Sequence, residues 1–222
     1  GRLLPGKVMK MHTPDLTDRS RAYAGALGAR VVELRETMEW FYAQQELEKN
    51  RTPNAAGVQR RIIAALQKVV GDFMPGFSEM RIVYDPRPRF LVKKNGTTIQ
   101  MNQLSDGERG LLAIVFDITR RLATANPQLR DPIREGKGIV LIDEIELHLH
   151  PEWQREAVRR LTGAFPNCQF IVTTHSPQVL GEVEARGVRY LYRDQGGRVQ
   201  RYTPDQALGL DSNRVLEEIM GT

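Results

Sequence analysis

The sequence is poor in the residues from which disulfide scaffolds and cysteine–zinc modules are built: it has a single cysteine, Cys168, and four histidines in 222 residues. One cysteine cannot close an internal disulfide, and no Cys and His tetrad stands around it at zinc spacing, so a reducing, cytoplasmic setting is expected. Cys168 itself reads as a small core residue. Long apolar runs are missing too. Leu111 to Phe116 and Ile139 to Ile142 fall far short of the roughly 18 to 20 residues that cross a bilayer, and no signal-peptide-like stretch stands near Gly1, so no membrane partner is expected. Low complexity is also absent. With 41% apolar and 27% charged residues, the chain has material for one substantial core, or a core with a small subdomain.

Charge is distributed unevenly. Residues 1–103 carry 17 Lys and Arg against 10 Asp and Glu, whereas 104–222 carry 15 against 17. A basic N-terminal surplus that includes Arg60, Arg61, Lys68, Arg87, Arg89, Lys93 and Lys94 can attract DNA or RNA, although a solvated helix surface has the same composition.

Periodicity divides the chain at about the same place. Residues 1–20 have no sustained period; Ala22 to about Lys49 and Val58 to Phe73 read as amphipathic helices, broken by the Asn50 to Asn54 cluster and by Pro75-Gly76. Strands are expected at Met80 to Tyr84, Arg89 to Lys94 and Thr97 to Met101, the last two joined by Asn95-Gly96, a strong hairpin signal. Residues 1–103 therefore form a helical subdomain with a β-ribbon. From 104 on, a helix at Asp106 to Ala123 precedes apolar strands at Gly138 to Ile142 and Gln169 to Thr173, with a helix from Pro151 between them. A short helix after Pro177, strands at Val188 to Arg193 and Arg198 to Tyr202, and a helix from Ser212 to Met220 complete this half. Unbroken apolar runs alternating with helices indicate buried parallel strands, hence an α/β fold with a mostly parallel sheet in 104–222.

Three short stretches carry chemistry. Ser105 and Glu108 form a capping box at a helix start, and Gly107 leaves backbone N–H groups open to an anion. Asp143 and Glu144 follow a buried strand at its carboxyl end, where open α/β sheets place ligands. Two adjacent carboxylates repel each other unless a cation sits with them; phosphate chemistry supplies Mg²⁺ and leaves the second carboxylate to polarise a water. His175 follows a second buried strand on the same sheet edge, within reach of a terminal phosphate. Each feature alone is common in ordinary proteins. Their order, at spacings of roughly 25 to 35 residues, is what successive βα units require.

Leu104-Ser105-Asp106-Gly107-Glu108 resembles the signature motif of ABC-type ATPases, Ile139 to Glu144 their Walker B strand, Leu147 to Pro151 their D-loop, and Thr174-His175 their switch histidine. The resemblance covers about 80 residues with all four motifs in order. The wording Ile142 to Gln154 and Thr173 to Gln178 is similar to soluble bacterial AAA/ABC-like ATPases related to RecF, SMC and OLD, including ATPases of Septu and retron anti-phage systems. The helix Val32 to Asn50 and the tail Gly209 to Gly221 also look like that group. The resemblance implies ATP and Mg²⁺ as cofactors and a homodimer that sandwiches ATP to switch a partner, such as a nuclease effector. It assigns Glu144 and His175 to catalysis, Asp143 to the metal, and Ser105, Asp106, Gly107, Glu108, His148 and His150 to nucleotide contacts across the dimer seam.

Two departures qualify it. Asp106 stands where transporter cassettes have Gly, which suits the soluble branch. No convincing phosphate loop is present either: Gly1 to Lys7 has the spacing, but Val8 replaces the Ser or Thr that should hold Mg²⁺. The chain is therefore expected to be the C-terminal portion of a longer ATPase, with little hydrolysis on its own. Two other readings stay open. His148 and His150 with Asp143 and His175 suit a metal-dependent hydrolase, and the basic half suits a non-catalytic nucleic-acid-binding scaffold.

Overall fold

A computed structural model describes residues 19–24, 39–46, 56–84, 88–147 and 149–221. Helix α1 spans 39–46, and α2 spans Ala56–Phe73. On α2 the apolar positions recur every three or four residues, and Ile62, Ile63, Leu66, Val69, Val70 and Phe73 are all buried, as the periodicity requires. The helix stops at Pro75-Gly76. Gly76 has φ of 85°, and a side chain there would strike the Asn95 amide at 2.2 Å, so this tight corner requires glycine.

The ribbon is a three-stranded antiparallel sheet of β1 (Phe77–Tyr84), β2 (Pro88–Lys94) and β3 (Thr97–Gln100). Asn95 and Gly96 both have positive φ, 49° and 83°, which is the pattern of the I′ hairpin turn that the dipeptide predicts. A bulge between Ser78 and Arg81, with Glu79 at φ of 47°, starts β1 earlier than the alternation suggests. Phe90 of β2 packs edge-on to Phe116, ring centroids 5.4 Å apart. That contact joins the ribbon to α3 (Asp106–Ala125), whose Leu112, Val115 and Phe116 are buried.

Beyond α3 come α4 (Pro132–Glu135), β4 (Gly138–Ile142), α5 (Pro151–Ala164), β5 (Cys168–Val172) and α6 (Pro177–Leu180). Strands β4 and β5 pair in parallel, Gly138 opposite Cys168 through Ile142 opposite Val172. The α/β class is thus present, with one parallel pair among the three sheets of the described residues. The expectation that these strands are buried on both faces is corrected. Val140, Ile142, Phe170 and Val172 pack against the core, but Ile139, Leu141 and Ile171 are 69%, 62% and 53% exposed.

Strands β6 (Tyr190–Arg193) and β7 (Val199–Tyr202) form a separate antiparallel pair, each shorter than the sequence pattern suggests. The last helix is α7 (Ser212–Val215), continued by a single wider turn over Leu216–Met220. Buried Val188, Ala207, Leu210, Val215 and Ile219 make a second, smaller core under it. Among the described residues no helix is long and apolar enough to cross a membrane.

Candidate functional site

The turn before α3 folds as its residues dictate. Ser105 is the N-cap: its hydroxyl accepts the Glu108 N–H at 3.3 Å, and the Glu108 carboxylate accepts the Ser105 N–H at 3.0 Å. Lys94 of β2 reaches the same carboxylate at 2.6 Å. Burial opposes the charge on Glu108, but Lys94 and the Ser105 amide and hydroxyl outweigh it and hold the carboxyl below the ordinary glutamate value. Asp106 pairs with Arg109 in the first turn of the helix. Ser105 and Asp106 remain exposed, so the positive end of a 20-residue helix faces outward there.

The second group forms where β4 and β5 end. Their parallel pairing runs one step past the strands, with the Thr173 N–H donating to Ile142 O at 2.9 Å and the Ile145 N–H to Thr173 O at 3.2 Å. This places Thr173 beside the acidic turn. Its hydroxyl donates to Asp143 and accepts the Glu144 N–H at 2.8 Å. Glu144 is held at φ of 49°, a left-handed conformation that costs a non-glycine residue free energy and that clusters at functional sites. The carboxylate of Glu146 accepts the Thr174 hydroxyl and the His175 N–H, both at 2.6 Å. Ser176 caps α6, and its hydroxyl meets the Gln154 side-chain oxygen at 2.6 Å.

These bonds bring Asp143, Glu144 and His175 together at one edge of the parallel pair. Three neighbouring acids meet different fates. Asp143 is engaged by Thr173 and Glu146 by the following loop, while the exposed Glu144 carboxylate makes no hydrogen bond or ion pair among the described residues. No hydrogen bond or ion pair among the described residues joins this cluster to the Ser105–Glu108 turn, which stands as a separate element.

The remaining assignments divide. His150 is the N-cap of α5, its Nδ1 accepting the Glu152 N–H at 3.4 Å, with Pro151 in the first turn. His148 and the Gly1 to Lys7 spacing lie outside the described residues. Among the described residues no three His, Cys, Asp or Glu side chains are grouped to hold a metal ion. In the basic set, Lys68 pairs with Asp72, Lys93 with Glu79 and Lys94 with Glu108, so much of that charge is locally offset; Arg87 and the Arg61 side chain lie outside the described residues. Sequence reasoning missed Glu146, Gln154 and the second role of Thr173. Their polar character was visible, but the strand register that aims them was not.

The chain has known relatives. The chain is 38% identical over 171 residues to the "Retron Ec83 probable ATPase" of Escherichia coli, covering 77% of this chain and 30% of that protein. It is 42% identical over 151 residues to the "Retron Vc95 probable ATPase" of Vibrio cholerae, covering 66% and 29%. Over 78 residues it is 44% identical to the Septu protein PtuA of Bacillus mycoides, covering 35% and 10%. It thus spans less than a third of the length of these relatives. In fold it is similar to a chain from a study of ATP-driven dimerization and DNA-stimulated activation of SMC ATPases, with a TM-score of 0.50, 17% identity and 73% and 93% of the two chains covered. An SMC head bound to the winged-helix domain of ScpA gives a TM-score of 0.50, 15% identity and 84% and 55% coverage. Residues 19–181 match the family AAA_21, described as "AAA domain, putative AbiEii toxin, Type IV TA system"; with its parallel pair, its acidic strand end and these relatives, the chain belongs to that AAA domain family.

Proposed function

We propose that this chain supplies the hydrolytic and signature parts of an ATPase whose phosphate loop is contributed by the rest of the complete protein. The observation that carries the reading is the division of labour at the end of β4. Of the acids in the Asp143–Glu146 turn, Glu144 alone keeps a carboxylate without a hydrogen bond among the described residues, and its backbone is held fixed by Thr173. An oriented, exposed carboxylate is what a general base requires. Asp143 and the Thr173 hydroxyl present hard oxygen donors of the kind Mg²⁺ takes, and Mg²⁺, when bound, offsets the charge of the phosphates. Glu144 orients or deprotonates the attacking water, and His175, on the neighbouring loop, contacts the terminal phosphate.

The Ser105–Glu108 turn has the complementary role. Its exposed helix N-terminus suits an anion, and no hydrogen bond among the described residues ties it to the Asp143–His175 cluster; use in trans would have Ser105, Asp106, Gly107 and Glu108 of one protomer meeting ATP held by another. His148 and His150 would then lie at the seam. The division at residues 103 and 104 is a division of roles, with the helical subdomain and ribbon bracing the turn through Lys94. Closure of such a homodimer would switch an effector, a nuclease being one class, in anti-phage defence of the retron or Septu kind. Nucleic acid is a weaker partner here because Lys68, Lys93 and Lys94 are already paired.

Glu144→Gln in the complete protein tests the reading. The amide keeps size and hydrogen bonding but cannot take a proton, so phosphate release should fall by at least about 10² to 10⁴. ATP binding should persist, with an ATP-bound dimer accumulating in light scattering. Hydrolysis at the wild-type rate would remove Glu144 as the base.

A further inference from the structure

We propose that Glu146 is a positioning residue that fixes where His175 stands relative to Glu144; this rests on the ATPase reading above. Glu146 lies in the acidic turn, two residues beyond the exposed carboxylate, yet it is half-buried and spends both oxygens on the neighbouring loop. One oxygen accepts the Thr174 hydroxyl at 2.6 Å and the other the backbone N–H of His175 at 2.6 Å. Two short bonds from a charged acceptor to consecutive residues fix both the position and the direction of a segment, as a single bond cannot. The loop needs this. Strand β5 ends at Val172, so past Thr173 no ladder bond among the described residues holds the backbone that carries His175.

The attachment continues on both sides. Ser176, next in the loop, caps α6 through the Gln178 and Val179 N–H groups, and its hydroxyl meets Gln154 of α5. Gln154 in turn donates to Leu149 O at 2.9 Å, the carbonyl at the end of the turn that holds Glu144 and Glu146. Hydrogen bonds therefore tie the acidic turn to the histidine loop at several points, with Glu146 as the link at the histidine itself.

The test is a set of variants in the complete protein, read as kcat and KM for ATP. Glu146→Ala should lower kcat by about 10- to 100-fold, the usual cost of misplacing a reacting group by an ångström, with KM for ATP nearly unchanged. Glu146→Gln should restore most of the loss, since its carbonyl can accept the His175 N–H and the Thr174 hydroxyl can turn to accept from its amide. On a His175→Ala background, Glu146→Ala should cost nothing further. Multiplying losses, or a Gln variant as poor as the Ala variant, would overturn the proposal while leaving the ATPase reading in place. A wild-type protein without magnesium-dependent turnover, or one indifferent to His175→Ala, would overturn that reading and this proposal with it. Should Glu146→Ala fail to fold, Thr174→Val removes one of the two bonds, together with the hydroxyl that accepts the Ser176 N–H at 3.0 Å, and must show the same dependence on His175, or the proposal is wrong.

Discussion

The turn at Ser105–Glu108 closes on residues three apart in sequence, whereas the turn at Asp143–Glu146 closes on Thr173, Thr174 and His175, 28 to 30 residues away. The first is a local device that any solvated helix start can form. The second exists only while β4 and β5 hold their register, because a slip of one residue would carry Thr173 to the other face of the sheet. In one protein, an exposed helix start is thus nearly independent of the fold and an acidic turn depends on it throughout.

The largest break in this comparison comes from Thr173→Val. Valine keeps the branched shape but removes the hydroxyl that donates to Asp143 and accepts the Glu144 N–H, so both acids lose their orientation at once. In the complete protein kcat should fall by about 10²-fold, while thermal stability changes little because the freed groups are exposed. Activity close to wild type would mean that the register alone, without the hydroxyl, places the acids.

A smaller effect is expected from Ser105→Ala. Loss of an N-cap costs about 0.5–2 kcal/mol, which in a chain of this size is a drop in Tm of roughly 2–4 °C per kcal/mol. Hydrogen exchange should quicken at the first turn of α3 and stay unchanged at Glu144, Ile145 and His175. Faster exchange at those amides would show that the two turns are coupled and that the contrast drawn here is false.

The same contrast explains what could be read from the sequence. The Asn95-Gly96 turn, the Ser105–Glu108 box, the apolar stripe of α2 and strand β4 are all set by neighbours within a few residues, and each stands where the pattern places it. Glu146 could not be read in this way, because an acid two positions after Asp143-Glu144 looks like a solvated turn until β5 is aligned beside it. The β4 and β5 runs misled in a different manner. A strand apolar at every position implies cover on both faces, but the described chain covers only the side of Val140, Ile142, Phe170 and Val172, leaving Ile139, Leu141 and Ile171 open. With both faces equally apolar, the sequence carried no signal of which one the described chain covers.

The finest test asks how self-contained the Ser105–Glu108 turn is, because Lys94 reaches it from β2. Glu108 has a carboxyl held below the ordinary glutamate value of about 4.3, so its charged form contributes stability above that pH and loses the contribution as pH falls through the lowered folded value. Lys94→Met keeps a stem that can pack on Phe77, over whose ring the ammonium sits 5.7 Å from the centroid, but removes the charge. At neutral pH the variant should be less stable by under about 1 kcal/mol, since the lysine is partly exposed and a pair of this kind is screened. The difference should shrink as pH drops below about 4 and should narrow with added salt. A difference that stays constant from pH 7 to pH 3 would mean that the Lys94 ammonium acts through the Phe77 ring and not through the Glu108 carboxylate. In that case the charged state of Glu108 would be set by Ser105, and the turn would be as local as its sequence makes it look.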